Sequence, residues 1–381
     1  MVQFLTAHTL EADELEVALG EILGQLDIEN NCLKNSAGLL FCHPDFIATG
    51  VAQGIAEALP FEVVGATTIC TLTQGLKNLT GLTVSVITSD TVEFTTISLK
   101  DCRNSEEIIR LYKKASAGKS GVPSMAFPFA SSAASCNMVI TVFDQLTDGK
   151  TPLFGSGVID NAVRPSQTGG VICNGTHVND GIVVLLAWGE LKARFFVTEI
   201  SEGFIQKQQA IVTKSNDNIV MEINDICSVD YLESIGISRE QANGNLFAVA
   251  FIINLRDGTK PFARGVHGLT PEGYMIASGP IPENAIMSVG TLDSDDITPI
   301  TNKALDNILD CDNRKGLLLF PCVSHFWIMQ TTPFDLIQHK INGILPYQIF
   351  YSGAEICPVY NEDGRLHNRC HSFTCIACSF E

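Results

Sequence analysis

Short apolar runs alternate along this chain with segments of helical spacing. The clearest run is Gly316-Leu-Leu-Leu-Phe320, which leads into Pro321-Cys322-Val323-Ser324-His325. Such a run has no polar face to show to water and predicts a strand buried on both sides. Residues 37–42 and 124–129 read the same way. Each run hands over to small and polar residues and then to a helix. Val51, Ile55 and Leu59 mark the first helix, which stops at Pro60, and residues 138–146 form the second, running into Asp148-Gly149. In the third, Thr332 is the expected cap, Pro333 the first helical residue, and Leu336, Ile337 and Ile341 the apolar face.

The intervening segments fit the same order of strand, polar turn, helix, glycine turn and strand pair. Residues 61–64 predict a strand ending in Gly65-Ala-Thr-Thr68, and the segments 82–87 and 92–99 predict a hairpin. Amphipathic helices are expected at 10–26 and at 105–117, the latter with Asn104 as cap, Glu107 completing a capping box, and Gly118 as its stop. Strands follow at 170–173, 181–188 and 194–200, a hairpin at 210–220, a short helix at 229–235, a strand at 246–254 and a helix from Asn302 to Leu309. Aligning Val63-Val-Gly65 with Leu153-Phe-Gly155 predicts an internal duplication of architecture. The expected fold class is α+β, with mixed sheets and packed helices in two unequal halves. The polar stretch 119–123 places the division between a domain at 1–122 and one at 123–381.

Composition narrows the function. Apolar residues make up 45% of the 381 and charged residues 17%, enough apolar material for a large interior. The formal charge of −18, without any cluster of Lys and Arg, argues against nucleic acid and anionic membrane surfaces as partners. No apolar run approaches the ~20 residues that cross a bilayer, and no export signal opens the chain, so a soluble, cytoplasmic protein is expected. The 13 cysteines are scattered and odd in number, which fits free thiols in a reducing compartment.

Candidate chemistry collects at the ends of the apolar strands. Cys322 could act as a nucleophile if its pKa were depressed and His325 folded back to assist it; otherwise the turn 322–325 forms part of a ligand pocket. Glu355, beside Gly353 and between two apolar strands, needs a donor: a ligand ammonium, Arg264 or solvent. Gly155, Ser156, Thr67 and Thr68 offer backbone N–H groups and hydroxyls suited to a carboxylate. The tail carries Cys370, His371, Cys375 and Cys378, but on a strand Cys375 and Cys378 face opposite ways, which disfavours zinc.

These turn sequences resemble the FIST (F-box and intracellular signal transduction) family. The N-terminal resemblance covers 36–100 through Val63-Val-Gly-Ala-Thr-Thr68. The C-terminal one covers 150–378 through Leu153-Phe-Gly-Ser156 with Asp160, Val212-Thr-Lys214, Arg264, Gly279-Pro-Ile-Pro-Glu283, Pro321-Cys322, Tyr351-Ser-Gly-Ala-Glu-Ile356, and His371 with Thr374. The resemblance implies a sensory domain that binds a small, amino-acid-like ligand and signals through a separate effector protein or self-association. It also implies one alternative, a haem-binding nitric-oxide sensor with His325 or His371 as axial ligand; the residues themselves leave another, a cysteine-dependent enzyme using Cys322. The resemblance brings Thr67, Thr68, Gly155, Ser156, Asp160, Arg264, Cys322, Ser324, His325, Gly353 and Glu355 together as site residues. Two departures bear on the ligand. The family's Gly-Glu after the threonine turn is replaced by Cys70-Thr71-Leu72, and its arginine after the cysteine by Ser324-His325.

Overall fold

The three continuous apolar runs become the central strands of three sheets in the computed structural model, which describes residues 1–76, 80–159, 169–198, 209–244, 249–291, 294–310 and 313–381. A leading strand β1 (Val2–Thr9) is followed by α1 (Leu15–Leu26) and α2 (Ile28–Asn31). The first unit contains β2 (Asn35–Cys42), α3 (Asp45–Ala48), α4 (Val51–Ala58), β3 (Glu62–Thr67), β4 (Thr71–Thr73), β5 (Leu82–Ser89), β6 (Glu93–Leu99) and α5 (Ser105–Ala115). The second contains β7 (Met125–Ala130), α6 (Ala133–Thr147), β8 (Gly155–Gly157), β9 (Val171–Cys173), β10 (Thr176–Val178), β11 (Ile182–Trp188) and β12 (Ala193–Val197).

An inserted sheet comes next: β13 (Gln209–Asn216), β14 (Ile219–Ile223), β15 (Ile226–Cys227), α7 (Ser228–Ser234), α8 (Arg239–Asn243), β16 (Val249–Asn254), β17 (Phe262–Arg264), β18 (Val266–Leu269), β19 (Met275–Ala277) and β20 (Ile286–Thr291). It encloses its own core around Val212, Phe251, Met275 and Met287. The third unit then runs α9 (Ser294–Leu309), β21 (Gly316–Pro321), α10 (Val323–Met329), α11 (Thr332–Ile341), β22 (Tyr347–Phe350), β23 (Ala354–Tyr360), β24 (Leu366–His371) and β25 (Cys375–Phe380). The fold is α+β.

The three sheets share a layout. Their orders are β1-β5-β2-β3-β9-β10, β6-β11-β7-β8-β23-β24 and β12-β25-β21-β22-β4. Each central strand, β2, β7 or β21, has an antiparallel neighbour on one side and, on the other, the parallel strand that follows its own helix. That crossover explains why every apolar run is followed by a helix. The outer strands are exchanged: β6 pairs with β11, β12 with β25, β9 with β3, β23 with β8 and β4 with β22. The expected division at 122/123 lies between β6 and β7, both of which flank β11 in one sheet.

Corresponding positions meet in the middle. Phe41, Phe129 and Phe320 occupy the same place on the three central strands, with ring centroids 5.1, 5.9 and 6.5 Å apart, and Phe350 stacks on Phe41 at 3.8 Å. Just beyond them, Thr68 N donates to Cys42 O (2.9 Å), Val158 N to Ala130 O (2.8 Å) and Ser352 N to Pro321 O (2.9 Å).

Some expectations change. The segments expected to form a hairpin are strands β5 and β6, but they do not pair with each other. Every residue of β5 is buried, so it needs a neighbour on each edge and takes β1 and β2; β6 goes to β11. Helix α9 begins well before Asn302 and carries Pro299 inside it. Helix α6 starts earlier than 138 because Ser132 caps it, accepting from Ser135 N at 3.2 Å. On α11 the residue before the helix is Thr331, and Phe334 is buried with Ile337 and Ile341. The cap at Asn104 is as expected, accepting from Glu107 N at 3.1 Å. Among the described residues, no helix is long and apolar enough to cross a membrane.

Candidate functional site

Strand β21 is buried throughout and ends at Pro321, after which the backbone is held from two sides. Cys322 N donates to Thr374 O (2.8 Å), and Val323 N to Ser352 O (2.8 Å). Cys322 is the extended residue that enters α10, so the 322–325 segment is a strand end passing into the first turn of a helix. Its hydrogen bonds fix Cys322 and Ser324 against the start of β23.

Glu355 lies on β23 between two ladders, opposite Ser156 of β8 and His371 of β24. Its side chain has no exposed surface. Oε2 accepts from Thr374 Oγ1 at 3.5 Å, and Oε1 has no hydrogen-bond partner. Burial pushes its pKa well above the carboxylate range; Cys322, Ser352 and Thr374 lie close enough to favour the charged form, but their effect is smaller. Ser352 lies beside Glu355, its Oγ 2.6 Å from Ser156 Oγ.

A cavity of about 70 Å³ next to this cluster is lined by Cys322, Ser324, Gly353, Ser278, Ser372 and Phe373, and Glu355 lies behind its Cys322 wall, close enough for the two groups to interact. Ser324 is buried and its Oγ has no partner. Gly353 must be glycine, because a Cβ there would lie 2.6 Å from Val158 O. Phe373 adopts a left-handed backbone, φ 61°, unusual for a bulky residue. Burial and the nearby Glu355 both push the Cys322 thiol up, away from the thiolate. His325 is fully buried, its Nε2 donates to Phe373 O (3.2 Å), and burial lowers its pKa to about 4.

Comparison with known proteins decides the family. The FIST N domain profile matches residues 36–226, and the FIST C domain profile matches 229–358. The chain belongs to the FIST family. FIST domains are associated with sensing and with small-ligand binding in signalling proteins. No curated protein matches the chain. A solved structure titled cyanuric acid hydrolase, evolutionary innovation by structural concatenation, is similar at 9% identity and a TM-score of 0.32. It covers 76% of this chain and 99% of its own, and at that TM-score it carries no argument. The Ser156–Ser352 contact joins the two FIST matches, with Ser156 in the N match and Ser352, like Cys322 and Glu355, in the C match.

The residues anticipated from the sequence separate into groups. Cys322, Ser324 and Gly353 line the cavity, whereas Glu355 and Ser156 are paired strand residues behind it and not part of its lining. Arg264 is buried nearby, but it donates to the carbonyls of Cys370 (2.8 Å) and Ala263 (3.1 Å) and forms no ion pair with Glu355. Thr67 and Thr68 are engaged elsewhere: Thr67 Oγ1 accepts from Gly170 N (2.8 Å), and Thr68 Oγ1 donates to Tyr351 O (2.9 Å). Gly155 serves strand packing, since a Cβ there would lie 1.8 Å from Pro128 O. Asp160 lies outside the described residues. Ser278, Ser372 and Phe373 had not been anticipated. Ser352 falls within the stretch 351–355 expected as a cleft wall, whereas its meeting with Ser156 depends on strand exchange.

Haem does not fit either histidine. The Nε2 atoms that iron would need are engaged, His371 Nε2 donating to Cys357 O (3.1 Å) and His325 Nε2 to Phe373 O (3.2 Å), and both rings are buried. Among the described residues no cluster suits a metal ion. Cys375 and Cys378 enter different cores, as alternation on β25 requires.

Proposed function

We propose that this FIST protein is a cytoplasmic sensor that binds a small, amino-acid-like ligand in the Cys322–Glu355 cavity. Its output passes to a separate partner protein or to self-association. The observation that carries the reading is the buried Glu355, whose Oε1 has no partner. An unmet buried acceptor is costly, and a ligand ammonium supplies both a donor and the charge that stabilises the carboxylate. Ser324 Oγ, also unpartnered, offers a second contact. A volume of about 70 Å³ suits a ligand of few heavy atoms. Because the cavity walls come from the inserted sheet (Ser278) and from the third unit (Cys322, Ser324, Gly353, Ser372 and Phe373), a bound ligand that favours one arrangement of these two parts over another supplies the basis of a signal.

Burial of the Cys322 thiol and commitment of His325 to Phe373 support binding over nucleophilic catalysis. The test is calorimetric titration of the protein with a panel of free small amino acids. Saturable binding to the unaltered chain that is lost in E355Q is the expected result; equal binding to E355Q would overturn it.

A further inference from the structure

The turn joining β24 to β25 borders two cavities. Ser372 and Phe373 line the one described above, while His371 and Thr374 line another of about 260 Å³. The second has aromatic walls from Phe195, Phe262 and Tyr360, and Arg369 at its edge. Tyr360 is 56% exposed although it is large and aromatic.

The charge around this cavity is not balanced. Arg264 and Arg369 are 3% and 9% exposed, and each guanidinium lies 4.4 Å from the centre of the Phe262 ring. Arg264 is satisfied by backbone carbonyls, which accept its hydrogen bonds without cancelling its charge. Arg369 donates to Thr259 Oγ1 (2.9 Å) and to Lys260 O (3.3 Å). Among the described residues, the one carboxylate within ion-pair reach of either guanidinium is Asp257, 3.9 Å from Arg369 and more exposed than it. Of the two buried cations, Arg264 has no carboxylate within ion-pair reach among the described residues and Arg369 has one at 3.9 Å, whereas buried charges are normally closely paired.

We propose that this second cavity is a binding site for a small carboxylate with a flat apolar body. The carboxylate pairs with Arg369, whose planar fork matches it, and the body packs against the aromatic walls. The volume is near the lower end for small-molecule sites, on the order of 300 Å³. The inference does not rest on the role proposed for Glu355.

Benzoate and its neutral analogue benzamide are the probes, titrated by calorimetry into the full chain. Benzoate is expected to bind one site at least tenfold more tightly than benzamide, with R369Q losing that preference and E355Q retaining it. V359W, which fills the cavity from β23, should abolish binding. Should R369Q not fold, the amide comparison and V359W carry the test. Absence of benzoate binding at millimolar concentration, equal affinity for benzamide, or unchanged binding to V359W would overturn the proposal.

Discussion

The hydroxyls of Ser156 and Ser352 lie 2.6 Å apart across 196 residues of sequence, joining the second unit to the third directly beneath Glu355. Replacing Ser352 with alanine leaves Ser156 its bond to Gly157 O but removes one of the groups beside the acid. S352A should therefore cost about 1 kcal/mol in stability and weaken ligand binding at the cavity. Chemical denaturation and calorimetry on the same preparation measure the two effects.

Glu355 makes stability depend on pH in an uncommon direction. Its folded pKa lies above the unfolded value of a glutamate, so the folded state holds its proton longer. Stability present below the ordinary glutamate pKa is then lost as pH rises, by about 1.4 kcal/mol per unit until the folded group titrates. E355Q keeps the shape without the ionisation. It should exceed the parent in stability at neutral pH and lose that advantage in acid, as read by urea denaturation across the pH range.

The same acid predicts proton-coupled binding. An ammonium ligand requires the carboxylate, so binding releases a proton, and affinity should rise about tenfold per pH unit while Glu355 remains protonated in the free protein. Titrations in buffers of different ionisation enthalpy will count the proton. A count of zero would contradict the proposed contact.

The two buried histidines act oppositely. Burial lowers His325 to about 4 and His371 to about 3, below the ordinary 6.5. Their stability contribution is present above pH 6.5 and is lost as pH falls through the window down to those values, by up to roughly 3 kcal/mol for His325 and roughly 5 kcal/mol for His371. Thermal scans should show a falling midpoint over that window, with a shallower fall in H325Q.

Gly155 separates packing from binding. A methyl group there would meet Pro128 O at 1.8 Å, and at the corresponding Gly65 it would meet Leu40 O at 1.8 Å. G155A and G65A should each cost about 3 kcal/mol or more, whether or not ligand is present. A G155A protein of normal stability that has lost only ligand binding would restore the direct role anticipated from the sequence.

Strand identities were legible because the runs at 37–42, 124–129 and 316–320 leave no polar face, and helix ends were legible from caps such as Asn104. Partner choice was not. A strand's side chains show whether it is buried, but its backbone donors and acceptors carry no address, so β5 and β6 read as a hairpin although they belong to different sheets. At the site, Cys322, Ser324, Gly353 and Glu355 stood out as polar or small residues at the ends of buried strands. Thr67, Thr68 and Gly155 carried the same signal for a different reason, since each meets a packing or hydrogen-bonding need where strands from different units meet.

The stacking of Phe4 on Phe380, with ring centroids 5.5 Å apart, places the first strand beside the last. On β5, strand β1 fills the place that β6 fills on β11 and β12 fills on β25. The path of the chain is thus a ring of three interlocked segments cut between its third and first. Rejoined there and reopened in the polar stretch around Gly118 and Gly121, a circular permutant should rebuild the same three sheets.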